Sequence, residues 1–183
     1  MTGNWFIALP VAAGAWFQGL TPPPGVRLFG EHDLHLTVAF LGAVGEERAR
    51  AAFALAADFP LRPLAVRLGP IEALGSPRRP SAFSALLTEG RAQVETALGV
   101  ARAAMWEAAD ARPDTRPALA HVTLARPGRR ASDAERRRAQ TWAKGIDLGA
   151  PVCQLTRIAL YAWSLDRATS LFRIVSDLPL RAA

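Results

Sequence analysis

Two four-residue segments of this chain carry one chemical pattern, His35-Leu36-Thr37-Val38 and His121-Val122-Thr123-Leu124. Each alternates polar with aliphatic residues inside an apolar run, the signature of a strand with one buried face. Residues two apart on a strand share a face, so each segment sets an imidazole beside a hydroxyl while Leu36, Val38, Val122 and Leu124 turn into a core. The chain has 3 histidines, and two of them stand in this pattern. A neutral imidazole accepts a proton and a protonated one donates it, both near neutral pH. Two such groups on opposite sides of a bound group suit in-line displacement at phosphorus, where attacking and leaving oxygens occupy opposite apices. The hydroxyls of Thr37 and Thr123 can then donate to the equatorial phosphoryl oxygens, where negative charge concentrates. This chemistry needs a substrate reactive without metal activation, and a strained cyclic phosphodiester is one. The competing structural reading is a pair of strands, each with one hydrogen-bonded core histidine. It leaves the repeated threonine unexplained.

Composition sets the frame around these residues. A chain of 183 residues, half of them hydrophobic, makes one domain or two small lobes sharing a core. The lone Cys153 excludes an internal disulfide framework and, with so few histidines, argues against structural zinc. A metal held by His35 and His121 would have to recruit Glu31, Asp33 or Cys153, a poor ligand set, so no metal and no cofactor is expected. The opening Met1-Thr2-Gly3-Asn4-Trp5 lacks the basic stretch of a signal peptide, and the apolar run after it is broken by Pro10 and Gly14. The expectation is a soluble cytoplasmic protein, monomeric, with no membrane contact.

A net charge of +6 favours an anionic partner such as nucleic acid. All but one of the basic residues are arginines, a bias that genome composition produces as readily as function. The densest stretch runs from Arg126 through Arg129 and Arg130 to Arg136, Arg137 and Arg138. It reads equally as an RNA-binding patch or as a solvated loop and helix face. The single lysine, Lys144, matches neither a phosphate-binding loop nor a nucleotidyl-transfer motif. His32, three residues before His35, reads as a surface loop residue. Among the tryptophans, Trp163 is a candidate for stacking on a base.

The elements that must position the two motifs follow from periodicity. Strands are expected at Asn4–Leu9, Leu34–Leu41, Leu64–Leu74, Ala82–Leu87, Leu119–Ala125, Gln154–Trp163 and Leu171–Val175. Helices are expected at Val11–Gly19, Glu46–Asp58 and Arg91–Ala109, the last with Val94, Leu98, Ala101 and Met105 on one face. A further helix starts at Ser132, where Glu135 three residues on completes a capping box, and ends near Lys144-Gly145. Loops fall at Thr21–Gly25, Gly75–Pro80 and Arg112–Pro117. One motif strand lies in each half, which points to an old internal duplication and a cleft between two similar lobes.

These residues resemble the 2H phosphoesterases and, within them, the RNA 2′,3′-cyclic phosphodiesterases, also called 2′-5′ RNA ligases. The resemblance rests on Leu34 to Gly42, on Arg116-Pro117 followed by His121 to Arg126, and on Phe6-Ile7-Ala8-Leu9, Ser76 to Pro80 and Leu160-Tyr161. It implies an α+β bilobal duplicated fold, two antiparallel sheets lining a central cleft with helices packed outside, as a single domain over 1–183. It implies metal-independent hydrolysis of RNA 2′,3′-cyclic phosphate ends to 2′-phosphates, and in reverse an ATP-independent 2′-5′ ligation. Carried over, His121 is the general base, His35 the general acid, and Thr37 and Thr123 hold the phosphate. Arg126 matches a family arginine that contacts phosphate. It stands five residues past His121, an odd offset that on an unbroken strand aims it at the wrong face. Pro127-Gly128 beyond it favours a strand that ends or twists there. The chain departs from the pattern at Ala118 and Ala120, where a Phe-x-Pro segment is usual, and at Ser84, where an aromatic is common. Trp163 stands in place of a small Ser and Phe172 in place of a Tyr. These departures bear on nucleobase preference. Two other readings share the motifs: a phosphodiesterase acting on 2′-5′-linked oligonucleotides or ADP-ribose 1″,2″-cyclic phosphate, and a non-catalytic RNA-end-binding module.

Overall fold

The computed structural model describes residues 3–168 and 170–182. Its strands are β1 (Trp5–Pro10), β2 (Val26–Leu28), β3 (His35–Gly42), β4 (Leu64–Ser76), β5 (Arg79–Glu89), β6 (His121–Pro127), β7 (Val152–Leu155), β8 (Arg157–Trp163) and β9 (Phe172–Pro179). The helices are α1 (Ala15–Gln18), α2 (Glu46–Ala54), α3 (Arg91–Ala108) and α4 (Asp133–Lys144). The strands form two antiparallel sheets, ordered β3-β1-β8-β9 and β2-β6-β5-β4-β7. Each motif strand therefore lies in its own sheet, and β3 and β6 approach one another with Cα atoms within 8 Å. Helices α2 and α3 lie against the first sheet and α4 against β4 and β5 of the second. This is the α+β bilobal arrangement expected from the sequence.

One hydrophobic core fills the space between helices and sheets, and it contains the inward residues of both motif strands. A second, small cluster of Phe6, Ala8, Ala159 and Tyr161 lies on the opposite face of the first sheet, with Phe172 packed on it. Alternation explains the division: Trp5, Ile7 and Leu9 enter the main core while Phe6 and Ala8 point the other way. No helix among the described residues is long and apolar enough to cross a membrane.

Several boundaries differ from the sequence reading. The helix expected from Val11 shrinks to Ala15–Gln18, since Pro10 and Gly14 interrupt the run and Gly19 caps it. The helix expected to reach Asp58 ends at Ala54 and tightens into a 3-10 turn over Leu55–Asp58. The loop at 75–80 contracts to a turn at Pro77-Arg78, with the flanking residues paired as Gly75↔Pro80 and Ser76↔Arg79. The strand read as Gln154–Trp163 breaks at Thr156 into β7, which joins the second sheet, and β8, which joins the first. The short strand β2 has no counterpart in the sequence reading, because three residues after a proline-rich loop carry no periodicity of their own. The long helix is as read: Val94, Leu98 and Met105 are buried, joined by Ala97 and Trp106. So is the capping box of α4, with Glu135 N–H donating to Ser132 Oγ at 3.3 Å and Ser132 N–H to Glu135 Oε2 at 2.7 Å. Gly90, at φ +75°, joins β5 to α3, and a Cβ there would stand 2.7 Å from Val66 Cγ1.

Candidate active site

Both motif strands contain the same irregularity, one residue past the threonine. On β3, Ala8 pairs with Thr37 while Ile7 pairs with Ala39, leaving Val38 as an extra residue. On β6, Ser84 pairs with Thr123 while Phe83 pairs with Ala125, leaving Leu124 extra. A bulge of this kind shifts the alternation by one. Val38 and Ala39 are consequently both in the core, as are Leu124 and Ala125. The residue after each pair returns to the face of the histidine and threonine. On β3 that residue is Phe40, 51% exposed; on β6 it is Arg126, also exposed. The odd offset of Arg126 is corrected by the bulge at Leu124, not by the end of the strand.

The two imidazoles are held alike. His35 Nδ1 lies 2.6 Å from the carbonyl of Asp33, and His121 Nδ1 lies 2.7 Å from the carbonyl of Leu119, each two residues upstream. A carbonyl only accepts, so each Nδ1 carries the proton and each Nε2 is left with its lone pair. Their surroundings differ. His35 is buried in an aromatic box, 4.8 Å from the Phe6 ring, 5.4 Å from Tyr161 and 5.2 Å from Phe172, which meets it edge-on. Burial in that box lowers its pKa to about 4, with further lowering from the charges of Arg126 and His121 against a raising effect of the Asp33 carbonyl bond and carboxylate. His121 is half-buried, and its pKa is lowered first by desolvation and then by the charges of Arg116 and Arg126. These mutual effects place His35, His121 and Arg126 within electrostatic reach of one another, between the two sheets.

Thr123 is buried, and its Oγ1 lies 3.1 Å from Oγ of the fully buried Ser84. Ser84 thus adds a hydroxyl to the site at the position where the resemblance implies an aromatic. Arg126 lies over the Phe29 ring, 5.6 Å from its centroid. Its pKa is lowered by partial desolvation and then by the charge of Arg167. Of the other departures, Phe172 forms a wall of the His35 box, and Trp163 is covered by the Arg167 guanidinium at 4.1 Å. Ala118 packs against the core, and Ala120 is buried, its N–H donating to Glu95 Oε1 at 3.0 Å.

Asp33 is the residue that sequence reasoning missed. Its buried carboxylate accepts from the N–H of Gly30 at 3.1 Å, Leu171 at 3.0 Å and Phe172 at 3.1 Å, and from Ser170 Oγ at 2.8 Å. The same residue therefore holds His35 through its carbonyl and the aromatic wall through its side chain. The only signal in the sequence is an acid two residues before a motif histidine, which reads there as a candidate metal ligand. His32 is exposed, as expected. Among the described residues no group of three or more His, Cys, Asp or Glu is gathered to hold a metal ion.

The basic stretch divides. Arg136 donates to the carbonyls of Ala131, Pro80 and Gly128 at 3.1 to 3.4 Å, which makes it a brace between α4 and the loops beside it. Arg137 and Arg138 are exposed on α4, which packs on the side of β5 that bears Phe83, the face opposite Ser84 and Thr123.

The sequence matches no protein-family model and no curated protein. Solved structures do match. LigT of E. coli, crystallised with 3′-AMP, superposes with a TM-score of 0.71 at 19% identity, over 98% of this chain and 99% of that one. TT0787 of Thermus thermophilus gives 0.72 at 22% identity, over 97% and 98%. Usb1 of Kluyveromyces marxianus gives 0.56 at 11% identity, over 99% of both chains. The chain shares the fold of these structures. Within this fold the two motif strands lie in separate sheets and approach one another, and each motif histidine stands at the start of its strand.

Proposed function

We propose that this chain is an RNA 2′,3′-cyclic phosphodiesterase. The observation that carries the reading is the matched pair of imidazoles. Each Nδ1 is committed to a backbone carbonyl, and each Nε2 is free on its own wall of one cleft. His121, the less buried of the two, takes a proton from water as the water oxygen attacks phosphorus. The bond from phosphorus to the 3′-oxygen breaks opposite, and His35 delivers its Nε2 proton to that oxygen. The product is a 2′-phosphate, and one proton has moved from water to the ribose through two histidines. Thr37, Thr123 and Arg126 hold the phosphoryl oxygens as their charge grows. His35 is neutral in the free protein at pH 7. Its acid role therefore draws on the substrate's own negative charge, which favours the imidazolium once the phosphate is bound. With a 5′-hydroxyl in place of water as the nucleophile, the same groups join RNA ends through a 2′-5′ bond without ATP, the 3′-oxygen again leaving with the proton of His35. LigT, crystallised with 3′-AMP, lends support to a nucleotide in the cleft.

The test is incubation of an RNA ending in a 2′,3′-cyclic phosphate with the protein in excess EDTA. The expected product carries a 2′-phosphate at a rate unaffected by the chelator. A 3′-phosphate product, or activity lost in EDTA and restored by a divalent cation, refutes the reading. Tight binding of the RNA end without turnover would make the protein a binding module.

A further inference from the structure

Three arginines from separate parts of the chain meet at one edge of the cleft. Arg27 on β2 is the cross-strand partner of Arg126 on β6, so the two side chains share the face of Thr123 and His121. Arg167 arrives from the other sheet, in the connection between β8 and β9. Its carbonyl accepts from Arg27 Nη2 at 2.5 Å, and its guanidinium lies over the Trp163 ring, 4.1 Å from the centroid. Its charge also reaches Arg126.

Like charges set directly opposite on neighbouring strands repel and destabilise the pair. What sets these three apart is their convergence, since arginines elsewhere either stand apart or have a carboxylate at hand. Arg48, Arg50, Arg67, Arg79, Arg91, Arg116, Arg157 and Arg181 each stand within 4.0 Å of a carboxylate. Among the described residues none of Arg27, Arg126 and Arg167 forms such a pair. Three uncompensated guanidiniums at the mouth of a cleft call for an anion, and the planar guanidinium fork suits phosphate. One phosphate, held by Arg126 beside the histidines, leaves two of the three unanswered.

We propose that Arg27 and Arg167 form a second phosphate subsite, for the phosphodiester on the 5′ side of the terminal nucleoside of an RNA chain. The inference rests on the reading of the cleft as the place of an RNA end. A cyclic phosphate closes the 3′ side of that end, so the next anion along the chain lies on the 5′ side. Both arginines are held before the ligand arrives, Arg167 by its stack on Trp163 and Arg27 by the backbone it grips. Less freedom is then lost on binding.

The test compares two ribodinucleotides ending in a 2′-phosphate, identical except that the internal linkage is a phosphodiester or an uncharged methylphosphonate. Their affinities for the full chain are measured by calorimetry at low and moderate salt, beside hydrolysis of a mononucleoside 2′,3′-cyclic phosphate. The wild type should bind the charged linkage about tenfold more tightly, with the gap narrowing as salt rises. In Arg27→Gln and Arg167→Gln, both substituted away from the core and checked for folding by circular dichroism, the two linkages should converge. Equal binding of both linkages by the wild type overturns the subsite, even if the mononucleotide is hydrolysed. A linkage preference that survives both substitutions overturns its assignment to these residues. A preference that the substitutions abolish, with no hydrolysis of the mononucleotide, upholds the subsite and refutes the catalytic reading instead.

Discussion

His35 and His121 differ most in how far each is withdrawn from water, and a pH profile reads that difference. On the proposed mechanism, turnover by the free protein requires one histidine protonated and the other neutral. Desolvation lowers both, His35 to about 4 and His121 below its ordinary 6.5. The profile of kcat/KM should therefore be a bell whose acid limb falls near pH 4 and whose alkaline limb falls below pH 6.5. The profile of kcat should shift to higher pH, because bound phosphate stabilises the imidazolium. Steady-state rates from pH 3.5 to 9 check both, and an alkaline limb of kcat/KM above pH 7 would contradict the burial of these rings. The same burial bears on stability. The unfolded chain binds a proton at His35 near pH 6.5, while the folded chain resists it down to about pH 4. Stability is then lost as pH falls through that window, by ~3 kcal/mol from this group. Urea unfolding at pH 7 and pH 4.5 should show a smaller loss for His35→Gln than for the wild type. At Arg126, substitution by Ala should lower turnover on every substrate, a mononucleoside cyclic phosphate included, because in the proposed mechanism its guanidinium serves the reacting phosphate. An unchanged mononucleotide rate would make it a surface residue.

At the scale of elements, the fold invests most in the segment that precedes β3. The 3-10 turn Glu31–Asp33 ends in a residue whose carboxylate holds the start of β9 and whose carbonyl holds His35 at the start of β3. Asp33→Ala would leave the N–H groups of Leu171 and Phe172 without their acceptor in a buried place. The expected loss is about 3 kcal/mol, read as a lower urea midpoint, together with a looser aromatic wall and a weaker kcat. Ser132→Ala removes only a cap on the outer helix α4, and the expected cost is about 1 kcal/mol with kcat unchanged. The bulges at Val38 and Leu124 belong to this scale too. Each lets one strand give two consecutive residues to the core and still return the next side chain, Phe40 or Arg126, to the cleft.

Over the whole molecule, what matters about the charge of +6 is its placement. The run richest in arginine along the chain lies on α4 and its approach, and α4 packs on the face of the second sheet away from the cleft. The arginines at the cleft come instead from β2, β6 and the β8–β9 connection. A double substitution Arg137→Gln and Arg138→Gln should leave affinity for a short RNA end within about twofold at physiological salt, because charges more than a Debye length from the ligand are screened. Equilibrium binding at two salt concentrations checks it. A clear loss of affinity would mean that RNA also follows the outer face.

Much of the site was written in the sequence. Two His-x-Thr segments with alternating aliphatics named both strands and the face that each histidine and threonine shares, because a period of two needs only neighbours along one strand. The capping box at Ser132 and the buried face of α3 were legible for the same reason, since their causes lie within a few residues. The rest depended on pairing between distant segments. Whether Arg126 faces the cleft is decided by how β6 registers with β5, where Leu124 is squeezed out of the ladder. Which strand is broken at Thr156 is decided by two sheets competing for one apolar run. That Asp33 braces His35 and Phe172 requires residues 33 and 171 to meet, and that three arginines crowd one edge requires β2, β6 and Arg167 to converge. Local pattern determines which way a side chain turns within its own strand; only tertiary packing, which brings residues far apart in sequence into contact, decides what it turns toward.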